Sequence, residues 1–158
     1  MAENRKVVVA CTGNTCRSPM AAHLLRHALA AEEEPLNTLE VVSAGVSAFA
    51  GDPPSENAVR ALGKVGLDLS PHRSRRFAPE LAEGAGVIFV MTEAHRQIIR
   101  ERFPDIKAPL LLFRELMGGH NAPEVPDPFG GTLTDYIDTR DSLAEAIPSV
   151  LRWLREAT

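Results

Sequence analysis

The chain has 158 residues, of which 44% are hydrophobic and 24% charged, with a formal net charge of -4. That length suits one folded domain with a core of its own, and the composition argues against disorder. The mild acidity excludes a general affinity for nucleic acid or for an anionic membrane surface. The opening Met1-Ala2-Glu3-Asn4-Arg5-Lys6 is followed by only four apolar residues, too few for a signal peptide. No later run is long enough to span a bilayer, so a cytoplasmic protein is expected. Cys11 and Cys16 are the only cysteines, too few for a disulfide framework; in a reducing compartment such a pair is more often catalytic or redox-active. The five histidines have no metal-binding spacing, and neither a structural metal nor a cofactor is expected.

Short apolar runs alternate with amphipathic stretches. Residues 5–10 read as a buried strand, and 19–31 as a helix with Met20, Leu24, Leu25 and Ala28 on one face. Residues 39–43 form a second strand candidate, and Gly51-Asp52-Pro53-Pro54 a loop. Ser55 is a plausible N-cap for a helix that places Val59, Leu62 and Val65 at helical spacing. Residues 87–91 are the clearest later strand, 93–103 a helix that must stop before Pro104, and 109–113 a short fourth strand. The last helix spans roughly residues 132–156. Its stripe of Leu133, Tyr136, Ile137, Leu143, Ile147, Val150, Leu151 and Leu154 should face the sheet, and Pro148 should kink it. With no repeat and no linker, this alternation predicts a single doubly wound α/β domain over residues 1–158, with a four-stranded, mainly parallel sheet flanked by helices. Ligands of such folds sit beyond the carboxyl ends of the strands.

The stretch CTGNTCRSP, residues 11–19, lies at that end, between the first strand and the first helix. A strand-to-helix turn aims several backbone N–H groups at one point, and the helix dipole adds partial positive charge. Gly13 and Asn14 tolerate the left-handed backbone that such a loop needs. Arg17, six residues after Cys11, can clamp two oxygens of a phosphate-like anion with its planar fork. The same positive setting favours a thiolate over a thiol, which makes Cys11 the candidate nucleophile. Ser18 can hydrogen-bond that sulfur as thiolate and again as leaving group. Together the spacing C-x5-R-S marks a phosphate-binding loop after the first strand, with Thr12, Gly13, Asn14, Thr15, Cys16 and Ser18 around the anion.

On these residues the chain resembles the low-molecular-weight protein-tyrosine phosphatase family, from Val7 to the final helix. The resemblance implies a cysteinyl-phosphate intermediate on Cys11, a transition state held by Arg17 and the loop N–H groups, and a general acid in a late Asp-Pro pair. Asp127-Pro128-Phe129 matches that pair, so Asp127 is the candidate acid. Family members tie the loop asparagine, here Asn14, to a serine and a histidine; Ser43 in Ser43-Ala44-Gly45 and His72 match them as supporting residues. Many tyrosine-directed members have an aspartate in the segment matching Met91-Thr92, where this chain has Thr92, so His72 is expected to lack a charged partner. Those members often carry paired tyrosines after Asp-Pro; here Phe129 is followed by glycines. The run His72-Arg73-Ser74-Arg75-Arg76 is a solvated basic face or a contact for an acidic protein substrate.

Thr15 bears on the substrate. Tyrosine-directed relatives usually have a bulky aliphatic residue there, whereas the bacterial protein-arginine phosphatase branch of the family has threonine. Met91-Thr92, Gln97-Ile98-Ile99 and Asp127-Pro128-Phe129-Gly130-Gly131 also resemble that branch. A threonine hydroxyl can meet a planar guanidino group that a larger aliphatic side chain would crowd and leave unpaired. Thr15, Phe129 and Phe49 are therefore the candidate specificity residues. The resemblance implies phosphorylated protein substrates, with phosphoarginine expected ahead of phosphotyrosine, and a monomer or weak homodimer. An arsenate reductase would need further cysteines after Cys16, and there are none. A phosphate-binding module without turnover would leave Cys11 dispensable. Cys16 is also a candidate disulfide partner that would spare Cys11 from irreversible oxidation.

Overall fold

The computed structural model describes residues 5–158; the opening tetrapeptide weighed against a signal peptide lies outside the described residues. The elements run β1 (Lys6–Cys11), α1 (Arg17–Ala30), β2 (Glu40–Gly45), α2 (Glu56–Gly63), α3 (Pro79–Ala82), β3 (Ala85–Val90), α4 (Glu93–Arg102), β4 (Leu110–Leu112) and α5 (Leu133–Ala157). Three parallel pairings order the sheet β2-β1-β3-β4, so it is wholly parallel. Strand alternation divides the core between its two faces. Val7, Val9, Val87 and Phe89 pack with Met20 and Leu25 of α1 and with Leu143, Val150 and Leu154 of α5. Val8, Ala10, Ile88 and Val90 pack on the other face with Leu81 and Ala82 of α3 and Ile99 of α4. Strands covered on both sides are apolar throughout, which is why β1 and β3 stand out in the sequence.

Several boundaries differ from the sequence expectation. α1 starts two residues before Pro19, because Cys16 occupies its N-cap position. Pro19 thereby falls within the first turn, where N–H groups have no helical partner. The buried side of α1 is wider than the predicted face, taking in Ala21, Ala22 and Leu29, since the helix packs against both the sheet and α5. Ser55 does sit at the N-cap of α2 but makes no side-chain cap; its hydroxyl lies 2.9 Å from Cys16 Sγ instead. Val65 lies past the end of α2 and is exposed. α5 runs as one helix through Pro148 and opens with a capping box between Thr132 and Asp135.

Candidate active site

β1 ends at Cys11, and residues 12–16 turn the chain into α1 at the carboxyl edge of the sheet. Neighbouring strands leave β1 in opposite directions, β2 on one side and β3 on the other, which opens a crevice at that edge. Asn14 adopts φ 58, the only described non-glycine residue with a positive φ. Its fully buried side chain pays for that conformation: Nδ2 donates to Ser18 Oγ at 2.8 Å and to Ser43 Oγ at 3.0 Å, and Oδ1 accepts from Arg75 N at 2.9 Å. Its backbone carbonyl lies 2.7 Å from His72 Nε2. Ser43 and His72 thus both converge on Asn14, one through its side chain and one through its backbone. Burial lowers the His72 pKa, with the Arg26 and Arg73 charges acting in the same direction against the Asn14 bond, which raises it.

The Cys11 sulfur is buried 2.9 Å from Ser18 Oγ. Asn14 already donates to that oxygen, leaving the Ser18 proton for the sulfur or for the Ala44 carbonyl at 3.3 Å. Arg17 folds back under the loop, 4% exposed. Its Nη1 donates to Val125 O at 2.9 Å and its Nη2 to Thr12 Oγ1 at 3.4 Å, while its Nε has no partner among the described residues. Val125 N in turn donates to the carbonyl of Met91, the residue after β3, which brings the 125–129 segment to the loop. There Asp127 Oδ2 lies 3.7 Å from Arg17 Nη2, and Oδ1 accepts from Phe129 N at 3.0 Å.

These groups enclose a cavity of about 220 Å³ lined by residues 11–17, Asp127 and Phe129. A neighbouring cleft is shared by Gly13, Thr15, Phe49 and Phe129, the two rings being 78% and 74% exposed. Thr15 borders both spaces, and among the described residues its hydroxyl has one side-chain partner, the Cys16 sulfur at 3.8 Å. A small compartment lined by a thiol, a guanidinium whose Nε is unpartnered among the described residues, and one carboxylate is suited to a tetrahedral oxyanion. Among the described residues no group of three or more His, Cys, Asp or Glu is arranged to hold a metal ion.

The profile of the family described as low molecular weight phosphotyrosine protein phosphatase matches residues 6–158. The chain belongs to that family. Two relatives described as protein-arginine-phosphatases are each 37% identical to it. The one from Geobacillus stearothermophilus aligns over 142 residues, 90% of either chain, and the one from Bacillus subtilis (strain 168) over 150, 95% of this chain and 97% of that one. A probable low molecular weight protein-tyrosine-phosphatase, EpsP of Ralstonia solanacearum, is 32% identical over 95% of this chain and 94% of its own. The solved arginine phosphatase YwlE of Geobacillus stearothermophilus superposes with a TM-score of 0.84 at 34% identity, covering 96% of this chain and 93% of that one.

Within this member of the phosphatase family, two residues at the site lie outside the sequence expectation. His95, in the first turn of α4, reaches Thr12 Oγ1 with Nε2 at 2.8 Å. Thr92, which stands where many tyrosine-directed relatives have aspartate, caps α4 by accepting from His95 N. Tyr136 of α5 brings its hydroxyl to 3.4 Å from Cys16 Sγ, and burial pushes its pKa up to about 12. The signal for His95 was positional: a histidine three residues past a helix cap, just beyond the carboxyl end of a buried strand. Arg73, Arg75 and Arg76 are exposed, while Ser74 between them is buried and bonded to Phe49 O and Asp52 N.

Proposed function

We propose that the chain is a cysteine-dependent protein phosphatase that hydrolyses phosphoarginine through a cysteinyl-phosphate. The observation that carries the chemistry is one cavity lined by Cys11, Arg17 and Asp127, with the Ser18 hydroxyl 2.9 Å from the Cys11 sulfur and Asp127 3.7 Å from Arg17. The Cys11 thiolate attacks phosphorus as the P–N bond breaks, and Asp127 gives its proton to the departing guanidino nitrogen. Arg17 and the N–H groups of residues 12–16 hold the charge that develops on the phosphoryl oxygens. Water then attacks the phosphorus, Asp127 takes its proton, the S–P bond breaks, and Ser18 donates to the departing sulfur. Thr12, Gly13, Asn14, Thr15, Cys16 and Ser18 shape the anion site, with Ser43 and His72 bracing Asn14.

Phosphoarginine is favoured by Thr15, which lines the cavity and has only a long 3.8 Å contact to the Cys16 sulfur for its hydroxyl among the described residues, and by the Asp127 carboxyl on the same cavity, which could pair with guanidino nitrogens. Relatives with protein-arginine-phosphatase names support it further. Phosphotyrosine is the second reading, favoured by the exposed Phe49 and Phe129 rings, which offer aromatic walls. Phosphorylated proteins are the substrates, and a reducing cytoplasm would keep both cysteines as thiols. The test is intact-mass analysis after acid quench of the reaction with a phosphoarginine peptide. A phosphoryl adduct on Cys11 that accumulates in Asp127→Ala and is missing in Cys11→Ala supports the mechanism; turnover by Cys11→Ala would end it.

A further inference from the structure

The Thr12 hydroxyl stands between two buried nitrogen-bearing side chains of different elements. On one side Arg17 Nη2 approaches its oxygen at 3.4 Å, and on the other His95 Nε2 at 2.8 Å. His95 is 4% exposed, and its Nδ1 has no partner among the described residues. The charged groups that act on it are Arg17 from α1, Asp127 from the 125–129 segment and Glu124 beside that segment. Burial, reinforced by Arg17 against the two carboxylates, lowers its pKa to about 4, so the ring is neutral at neutral pH.

Proton bookkeeping then sets the direction of each bond. Arg17 can only donate, so Thr12 Oγ1 accepts at least once. If His95 carried its proton on Nδ1, a buried N–H would be left with no acceptor; if it carries it on Nε2, only a lone pair at Nδ1 goes unmatched. Orphaned buried N–H groups are the rarer case. His95 therefore donates to Thr12 Oγ1, both lone pairs of that oxygen are engaged, and the Thr12 proton is left to point away from them. Thr12 lines the same cavity as Cys11, and a phosphoryl oxygen held there would be an acceptor for that proton.

We propose that His95 is a positioning residue of this site, fixing Thr12 through the Nε2–H bond so that the Thr12 hydroxyl donates to a phosphoryl oxygen while its oxygen braces the outer nitrogen of Arg17. This rests on the reading of the cavity as a phosphoryl-transfer centre. It couples the first turn of α4 to the loop between β1 and α1, two elements 83 residues apart. It also gives Thr12, whose side chain no backbone N–H argument requires, a defined part in anion binding.

The test uses inorganic phosphate as the binding probe and a phosphoarginine peptide as the substrate, with melting curves for every variant. His95→Ala should weaken phosphate affinity and lower kcat/KM by about tenfold, the effect of one hydrogen bond to a charged group. Glutamine can present an N–H near the position of Nε2, so His95→Gln should recover to within roughly threefold of wild type. Thr12→Ala should match His95→Ala, and the double variant should be no worse than either single one. If His95→Ala does not fold, the comparison of His95→Gln, Thr12→Ala and their combination still decides. Unchanged phosphate affinity in a folded His95→Ala, a glutamine variant no better than alanine, or additive losses in the double variant would overturn the proposal. Wild-type turnover abolished by Cys11→Ala alongside any of those results would sink the role of His95 alone. A wild type that neither binds phosphate nor turns over any phosphorylated peptide would overturn the phosphatase reading and this role with it.

Discussion

Gly45, the last residue of β2, lies so close to the phosphate loop that a single methyl group should disable it. A Cβ there would stand 2.4 Å from Thr12 O, 2.8 Å from Ala48 Cβ and 2.9 Å from Asn14 N. Reaching ordinary contact at 3.4 Å requires the Thr12 carbonyl to retreat by about 1 Å. Neither side can yield freely. Thr12 O accepts from Ser47 N at 3.0 Å, while Gly45 N donates to Arg75 O and Gly45 O accepts from Phe77 N, both at 2.9 Å. Misplacement by about 1 Å costs an active site on the order of a hundredfold, and overpacking of this kind destabilises by about 1–3 kcal/mol. Gly45→Ala should therefore lower kcat/KM for a phosphorylated peptide by about a hundredfold and the melting temperature by roughly 2–12 °C. Gly63→Ala is the matched control, since Gly63 ends α2 with nothing within 4 Å of its would-be Cβ. It should leave activity intact and stabilise by about 0.4–1 kcal/mol. Full activity and an unchanged melting temperature in Gly45→Ala would refute the contact geometry.

Asn14→Ala removes three buried hydrogen bonds and places a Cβ-bearing residue without polar compensation at φ 58. A loss of about 1–3 kcal/mol or more is expected by denaturant titration, and Asn14→Gly should recover the backbone share, about 1 kcal/mol, but not the rest. Equal stability of the two variants would remove backbone strain from the explanation. Stability should also fall with acid through His95: its folded pKa of about 4 lies below the ordinary 6.5, so the unfolded chain binds the extra proton between those values. The loss is absent above pH 6.5 and reaches about 3 kcal/mol near pH 4. His72 and His23, both lowered mainly by burial, add in the same direction. Melting curves from pH 7 to pH 4.5 should be flatter for His95→Gln than for wild type, and parallel curves would contradict this.

The sequence made the long-range plan legible where one physical constraint dominated. β1 and β3 are buried on both faces and therefore read as unbroken apolar runs, and the one-sided burial of α5 left its helical stripe. α3 and the turns Leu36–Thr38 and Glu115–Met117 were not legible, because elements of three or four residues are held by their neighbours rather than by their own pattern. The same division applies to the site. Cys11, Arg17 and Ser18 could be placed because they share one short loop whose chemistry is local. His95, the Val125 carbonyl and the Tyr136 hydroxyl approach that loop from 83, 108 and 120 residues away, and no local pattern announces such meetings. Ser55 shows the converse: its position at a helix start was readable, but the Cys16 sulfur claims its hydroxyl.

The most direct measurement compares turnover of phosphoarginine and phosphotyrosine peptides, side by side, by wild type and Thr15→Ile. Arginine specificity set by the Thr15 hydroxyl requires a strong wild-type preference for phosphoarginine that reverses in the variant. A preference for phosphotyrosine in both proteins would contradict it and leave Thr15 as a residue that only packs the loop.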